Sequence, residues 1–228
     1  MKNHLKRIAS PRTWNINRKK NKFISRPNPG AHSFENGQSL GVIIRDTLKL
    51  ASTMSEAKKI LNNKIVIVDG KRRRDHCFIV GIFDVISFPD LQKNYRLMMD
   101  KKGRLSLLGI SNEESVFKIS KIIGKTVLRG GKVQFNLYDG KNIITEQKVS
   151  VGDSLFLSLP GLEIKKVLPL KKGSFVFLTK GKHAGSSGVL KEIKSTEAVY
   201  SVDGKDVATA KEYLFVIGEK EAEIKIEN

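Results

Sequence analysis

The first 30 residues contain no aspartate or glutamate, while nine lysines and arginines fall in the same stretch. A segment without acids cannot neutralise itself, and Pro11, Pro27 and Pro29 keep it from forming one helix. Its self-repulsion predicts an extended arm that becomes ordered against a densely negative partner, a polyphosphate backbone above all. Cysteine is nearly absent. Cys77 stands alone, which excludes an internal disulfide and points to an intracellular compartment. No uncharged run exceeds nine residues, too short for a spanning helix. The N-terminus lacks the apolar core of a secretory signal, and its prolines break the periodicity an amphipathic transit peptide would need.

What the chain has in excess is positive charge. Forty-two Lys and Arg stand against 23 Asp and Glu in 228 residues, a net +19 with a pI near 10.0. The excess is front-loaded: residues 1–88 hold 18 basic and 6 acidic side chains, residues 89–228 hold 24 and 17. Such an asymmetry is the electrostatic footprint of a nucleic-acid binder.

After the arm, Leu40, Ile43, Ile44, Leu48 and Ala51 recur at helical spacing and predict a helix over 39–51, with Arg45 and Lys49 outward. Thr53 and Glu56 have capping-box spacing and open a second helix that ends at Asn62-Asn63. Ile65–Val68 reads as a strand, Asp69-Gly70 as a hairpin turn, and the run from Lys71 to Arg74 follows at once. A second apolar stretch runs from Cys77 to Phe88. Beyond Pro89 the texture is short strands separated by Gly-rich turns, which suits small barrels or sandwiches.

Catalytic chemistry is missing. Gly124-Lys125-Thr126 resembles the tail of a phosphate-binding loop, but position 119, where the first glycine belongs, is Ile. The four histidines are scattered. His76 and Cys77 are adjacent, and on a strand they would face opposite ways, so no metal site is expected. Asp84, inside an apolar segment, reads as a turn or backbone acceptor. No nucleophile elbow or acid/base pair presents itself. The expectation is a protein that is not an enzyme and needs no cofactor, metal or small-molecule substrate.

The candidate RNA contacts are therefore cations. In the arm they are Lys2, His4, Lys6, Arg7, Arg12, Arg18, Lys19, Lys20, Lys22 and Arg26. Trp14 either stacks on an unpaired base or pins the arm to a neighbouring domain. In the two-helix unit they are Arg45, Lys49, Lys58, Lys59 and Lys64. On the hairpin they are Lys71, Arg72, Arg73 and Arg74, a crowd of like charges that calls for an external anion. Near the end, Lys180, Lys182 and His183 sit on a glycine-rich turn that could hold phosphate or dock a protein.

The segment Ile65 to Asp75 followed by Ile79 to Ile86 resembles the S-four RNA-binding domain of the e-type S-four ribosomal proteins of archaea and eukaryotes. His4 to Pro11, Trp14, Arg26-Pro27 and Gly30 to His32 resemble that family's arm. Tyr95 to Arg104 and Val151-Gly152-Asp153 resemble its central domain, and Phe175 to Ile193 looks like a KOW motif. The match runs in order along essentially the whole chain. The resemblance implies a structural constituent of the small ribosomal subunit in the cytoplasm, with small-subunit ribosomal RNA and neighbouring ribosomal proteins as partners. Neither a membrane nor a second copy of the chain is expected as a partner. It also implies an α+β, multidomain layout. This has a basic arm over 1–36, an S-four-type αα-plus-β-hairpin domain over 37–89 and a central small β domain over 90–169. An SH3-like KOW β-barrel over 170–218 and a tail over 219–228 complete it. Two other readings stay open: a KOW-containing regulator of transcription or translation, and an RNA-modification protein carrying an S-four module.

Overall fold

The computed structural model describes residues 4–202 and 204–226. Lys2, Asp203 and the last two positions of the expected tail lie outside the described residues. The chain is mostly β, with few helices and several sheets. It divides into two compact units: Met1–Met98 with Arg104–Ser115, and Met99–Gly103 with Val116–Asn228. Among the described residues no helix is long and apolar enough to cross a membrane.

In the first unit a five-stranded sheet runs in the order Lys71–Arg72, Ile67–Val68, Val85–Phe88, Lys93–Met99, Leu105–Ile110. The domain boundary expected near residue 90 therefore falls inside a sheet. Pro89–Leu91 is one short 3-10 turn, and the strands on either side of it pair antiparallel, Val85 with Arg96. Proline at the first position of that turn needs no N–H, so it turns the chain without separating domains. Helix Met54–Asn63 begins with the expected capping box and buries Ala57 and Leu61. The helix expected over 39–51 is shorter. Leu40–Val42 is α-helical, and Ile43–Thr47 is a wider π-helical turn closed by Leu48 N–H on the Ile43 carbonyl. The run Val42-Ile43-Ile44 is β-branched and gives up χ1 freedom in a helix. The apolar positions are still inward: Leu40, Ile43, Ile44 and Ala51 are buried.

The basic arm is folded onto this unit, contrary to the expectation that only a polyanion could order it. Leu5–Lys6 pairs with Phe23–Ile24, and Thr13 offers its carbonyl to the N–H of Leu105 at 2.6 Å. Trp14 is 2% exposed, rests against Phe34 and donates its indole N–H to the Gly37 carbonyl at 2.9 Å. His32 is buried on Asp84, Nε2 to Oδ2 2.9 Å, over a backbone that must be glycine: a Cβ on Gly81 would lie 2.1 Å from the His32 ring. Asp84 also accepts the Gly81 N–H, the turn acceptor its sequence position implied. The charge of the arm, counted alone, misleads because Asp46 and Asp84, which partner it, lie outside the window.

The second unit holds two five-stranded antiparallel sheets. One runs Asn142–Ile144, Val133–Leu137, Phe117–Val127, Ser154–Ser158, Ile164–Leu168, around a core of Ile122, Phe135, Leu137, Leu155 and Leu157. The other runs Lys205–Ala210, Glu197–Val202, Ser187–Ile193, Phe175–Leu178, Leu214–Gly218. Strand 205–210 was not expected; Val207 is its one large apolar residue, and its identity comes from pairing with 197–202. Gly185, Gly188 and Gly218 are fixed by close approach of backbone. A Cβ on Gly185 would sit 1.8 Å from the Asp100 carbonyl oxygen, and one on Gly188 2.0 Å from that of Ser201.

Two buried lysines on strand Phe117–Val127 anchor it, one within its own sheet and one to the other. Lys118 meets Asp139 at 2.9 Å, with Lys141 on the same carboxylate at 3.2 Å. Lys121 donates to the carbonyls of Glu212 and Leu214, each at 2.7 Å. Burial pushes the Lys121 ammonium down to about 8, against a weaker pull upward from Glu212. The folded state thus binds fewer protons than the unfolded state between that value and the usual 10.5. Stability from this group rises as pH climbs through that window. Relative to Lys121→Met, unfolding monitored across pH 7 to 11 should show the native chain gaining stability over about pH 8 to 10.5. A constant difference between the two proteins would refute the shift.

Candidate nucleic-acid interface

The hairpin that carries the basic run is built by its turn. Asp69 and Gly70 both have positive φ, 49° and 75°, as a type I′ turn requires. The turn sets Lys71–Arg72 antiparallel to Ile67–Val68. The four cations that follow do different things. Arg72 reaches back to the end of helix 54–63, donating to the carbonyls of Asn62 and Lys64 at 3.2 and 3.4 Å. A guanidinium there satisfies orphan carbonyls and complements the negative helix terminus. Arg73 is half-buried, with its guanidinium 4.3 Å from the centre of the Phe78 ring. Lys71 and Arg74 are exposed, with no carboxylate within 4.0 Å among the described residues. On the helix, Lys58 and Lys59 point outward as expected. Lys64 has a loose exposed pairing to Asp90 at 3.5 Å.

The arm's cations divide in the same way. Arg7 is 1% exposed and pairs with Asp46 at 2.7 Å. Arg18 donates to the carbonyls of Ser10 and Pro11 at 2.8 and 2.7 Å, holding the arm's first turn. Arg45, expected on an outward face with Lys49, instead lies along Asp46, with two of its nitrogens on Oδ2 at 3.1 and 2.6 Å. The wide turn at 43–47 brings Arg45 and Asp46 inward together. Arg7, Arg45 and Trp14 are each packed in the fold, and of the two roles left open for Trp14 the structure shows the one that pins the arm. His4, Lys6, Arg12, Lys19, Lys20, Lys22, Arg26 and Lys49 are exposed. His4 lies against Phe23, and Lys22 lies 5.5 Å from the same ring.

In the second unit, Lys180, Lys182 and His183 are exposed on a loop held by its own backbone. Gly185 N–H donates to Leu178, and Ser186 bonds the His183 carbonyl through its N–H and its hydroxyl. A further basic group was not picked out from the sequence. Lys125, Lys132 and Lys148 line an open cleft of about 920 Å³ beside Gly130-Gly131, and Arg129 on the same hairpin is exposed. The signal was present, cations flanking a glycine pair, but diluted over 24 residues of sequence.

His76 and Cys77 lie together, contrary to the expectation from strand alternation. Residues 75–77 form a turn, not a strand, so alternation does not apply. The His76 Nε2 lies 3.4 Å from the Cys77 sulfur, and Nδ1 lies 3.6 Å from Asp75. Burial, then Lys58, lowers the His76 pKa, with Asp75 opposing.

The family model described as Ribosomal family S4e matches residues 91–164, and that of the RS4NT domain matches residues 1–35. The small ribosomal subunit protein eS4 of Methanocella arvoryzae is 44% identical over 95% of this chain and 94% of its own. The chain belongs to the ribosomal S4e family. The corresponding protein of Methanothermobacter thermautotrophicus is 40% identical to this S4e chain over 98% of it and 95% of its own length. The crystal structure of 30S ribosomal protein S4e from Thermoplasma acidophilum matches with a TM-score of 0.72 and 32% identity. It covers 81% of this S4e chain and 96% of that one.

The division of the cations gives a stability prediction. Trp14→Ala should lower the unfolding free energy by about 3–5 kcal/mol, the cost of emptying a large buried site. Lys20→Gln, on the exposed side of the same arm, should change it by less than about 0.5 kcal/mol. Denaturant melts of the three proteins check this; equal midpoints would mean the arm is not docked.

Proposed function

We infer that this S4e-family chain is a structural, non-enzymatic constituent of the small ribosomal subunit in the cytoplasm. It holds small-subunit ribosomal RNA with cations the fold leaves exposed. Its relatives at about 40% identity over nearly full length are small-subunit proteins. The observation that supports the RNA-contact reading is the sorting of charge in the first unit. Carboxylates take up Arg7 and Arg45, while Lys6, Arg12, Lys19, Lys20, Lys22 and Arg26 have none within 4.0 Å among the described residues. On this reading Lys58, Lys59, Lys71 and Arg74 extend the same phosphate-binding face, and Arg72 and Arg73 hold the hairpin that presents them. Phosphate contacts of this kind set affinity and its salt dependence, while structured RNA is recognised by shape.

Residues 37–89 are read as the S-four-type element, and residues 170–218 as a KOW-type SH3-like unit presenting Lys180, Lys182 and His183. Five antiparallel strands and the backbone-pressed glycines Gly185 and Gly188 support the second assignment. Neighbouring ribosomal proteins are the expected further partners.

Deleting the arm would empty a core, so the test is surface substitution. Lys19, Lys20 and Lys22 changed together to Gln should reduce the magnitude of the log–log salt slope of rRNA binding by about 0.7–0.9 for each phosphate no longer neutralised. An unchanged slope would take these lysines out of the interface. Lys71→Ala with Arg74→Ala should weaken binding without changing the melting temperature, while Arg72→Ala should lower both. Native affinity for the double variant would remove the hairpin.

A further inference from the structure

The turn at 75–77 brings three different metal donors to one place. One ligand atom each from Asp75, His76 and Cys77 lies within 4.8 Å of the other two. The imidazole Nε2 and the sulfur are 3.4 Å apart. Tetrahedral zinc, with bonds of about 2.0–2.3 Å, sets its donors about 3.3–3.7 Å apart. The imidazole and sulfur already have that separation, and the Asp75 carboxylate lies against the same imidazole, 3.6 Å from its Nδ1.

The backbone of the turn is held on every side. The Asp75 Oδ1 accepts the Cys77 N–H at 2.8 Å, and its Oδ2 accepts from the Asn28 amide at 2.9 Å. The His76 carbonyl takes the Gly41 N–H at 2.9 Å, and the Cys77 carbonyl takes the Asn28 N–H at 2.8 Å. Ligands fixed in this way lose little freedom on closing around an ion, and an outer hydrogen bond to a ligating carboxylate is what tuned metal sites use. The serine hydroxyl of Ser25, 3.6 Å from the sulfur, completes the rim.

We propose that Asp75, His76 and Cys77 form a surface site for a borderline-soft divalent metal, zinc being the fitting ion, with water in the fourth position. The donor set decides the class: thiolate and imidazole select zinc and its neighbours, whereas magnesium and calcium take oxygen. Binding releases the thiol proton to solvent and leaves the thiolate on the metal. All three side chains are partly exposed, so the site is open to an ion from solution.

Cobalt(II) added to the full-length, metal-free chain is the probe. Because Cys77 is the sole cysteine, a sulfur-to-cobalt charge-transfer band can arise only there. One equivalent should produce the band, zinc should displace it, and Cys77→Ser should abolish it. Zinc affinity, measured against a chromogenic chelator, should fall at least about tenfold in both Cys77→Ser and His76→Ala. Absence of the band at one equivalent, or unchanged zinc affinity in either variant, overturns the proposal. The cobalt spectrum of the native chain stands as evidence even if a substitution disturbs folding.

Discussion

The carboxylate of Asp46 serves two guanidiniums at once, Arg7 from the arm and Arg45 from the adjoining turn. The contact holds the arm to the turn at 43–47. Removing Asp46 would leave the Arg7 guanidinium buried without its carboxylate, which costs far more than an exposed pair contributes. The same use of acids recurs through the chain. Asp84 holds His32, Glu114 holds Arg96, and Asp139 holds Lys118 and Lys141. A protein with a net charge of +19 has few carboxylates to spare. Each buried pair removes one charge of each sign, so the excess of 19 set by composition stays at the surface, with fewer acids beside it.

The hairpin shows the same division on a smaller scale. Four consecutive cations look like one feature, yet Arg72 closes the end of a helix and Arg73 lies over an aromatic ring. Lys71 and Arg74 are what remain for a partner. Both Arg72 bonds leave from one nitrogen, Nη2, which spans the Asn62 and Lys64 carbonyls at the helix end.

Much of this was legible in the chain itself. Thr53 and Glu56 announced a helix start, Asp69-Gly70 a tight hairpin, and the glycine-marked turns a β-rich second half, because each depends on local chemistry alone. The order of the resembling segments pointed to the S4e family. What could not be read depended on distant partners. Arg7 and Lys20 are the same kind of residue in sequence, and only the position of Asp46 in space separates them. The helix expected through Ala51 gave way at a β-branched run, and strand 205–210 exists because 197–202 lies beside it. His76 and Cys77 read as strand neighbours and lie in a turn. In each case the local period differs from the expected one, or the partner lies outside the window considered.

The docked tryptophan has a consequence for how such a chain meets its target. An arm that must fold against RNA gives up part of its binding free energy to its own ordering. Here Trp14, His32 and the Arg7 pair have fixed the path of the arm before any encounter. On the proposed reading the encounter is closer to rigid docking than to coupled folding, and the lysines of the arm arrive already spaced.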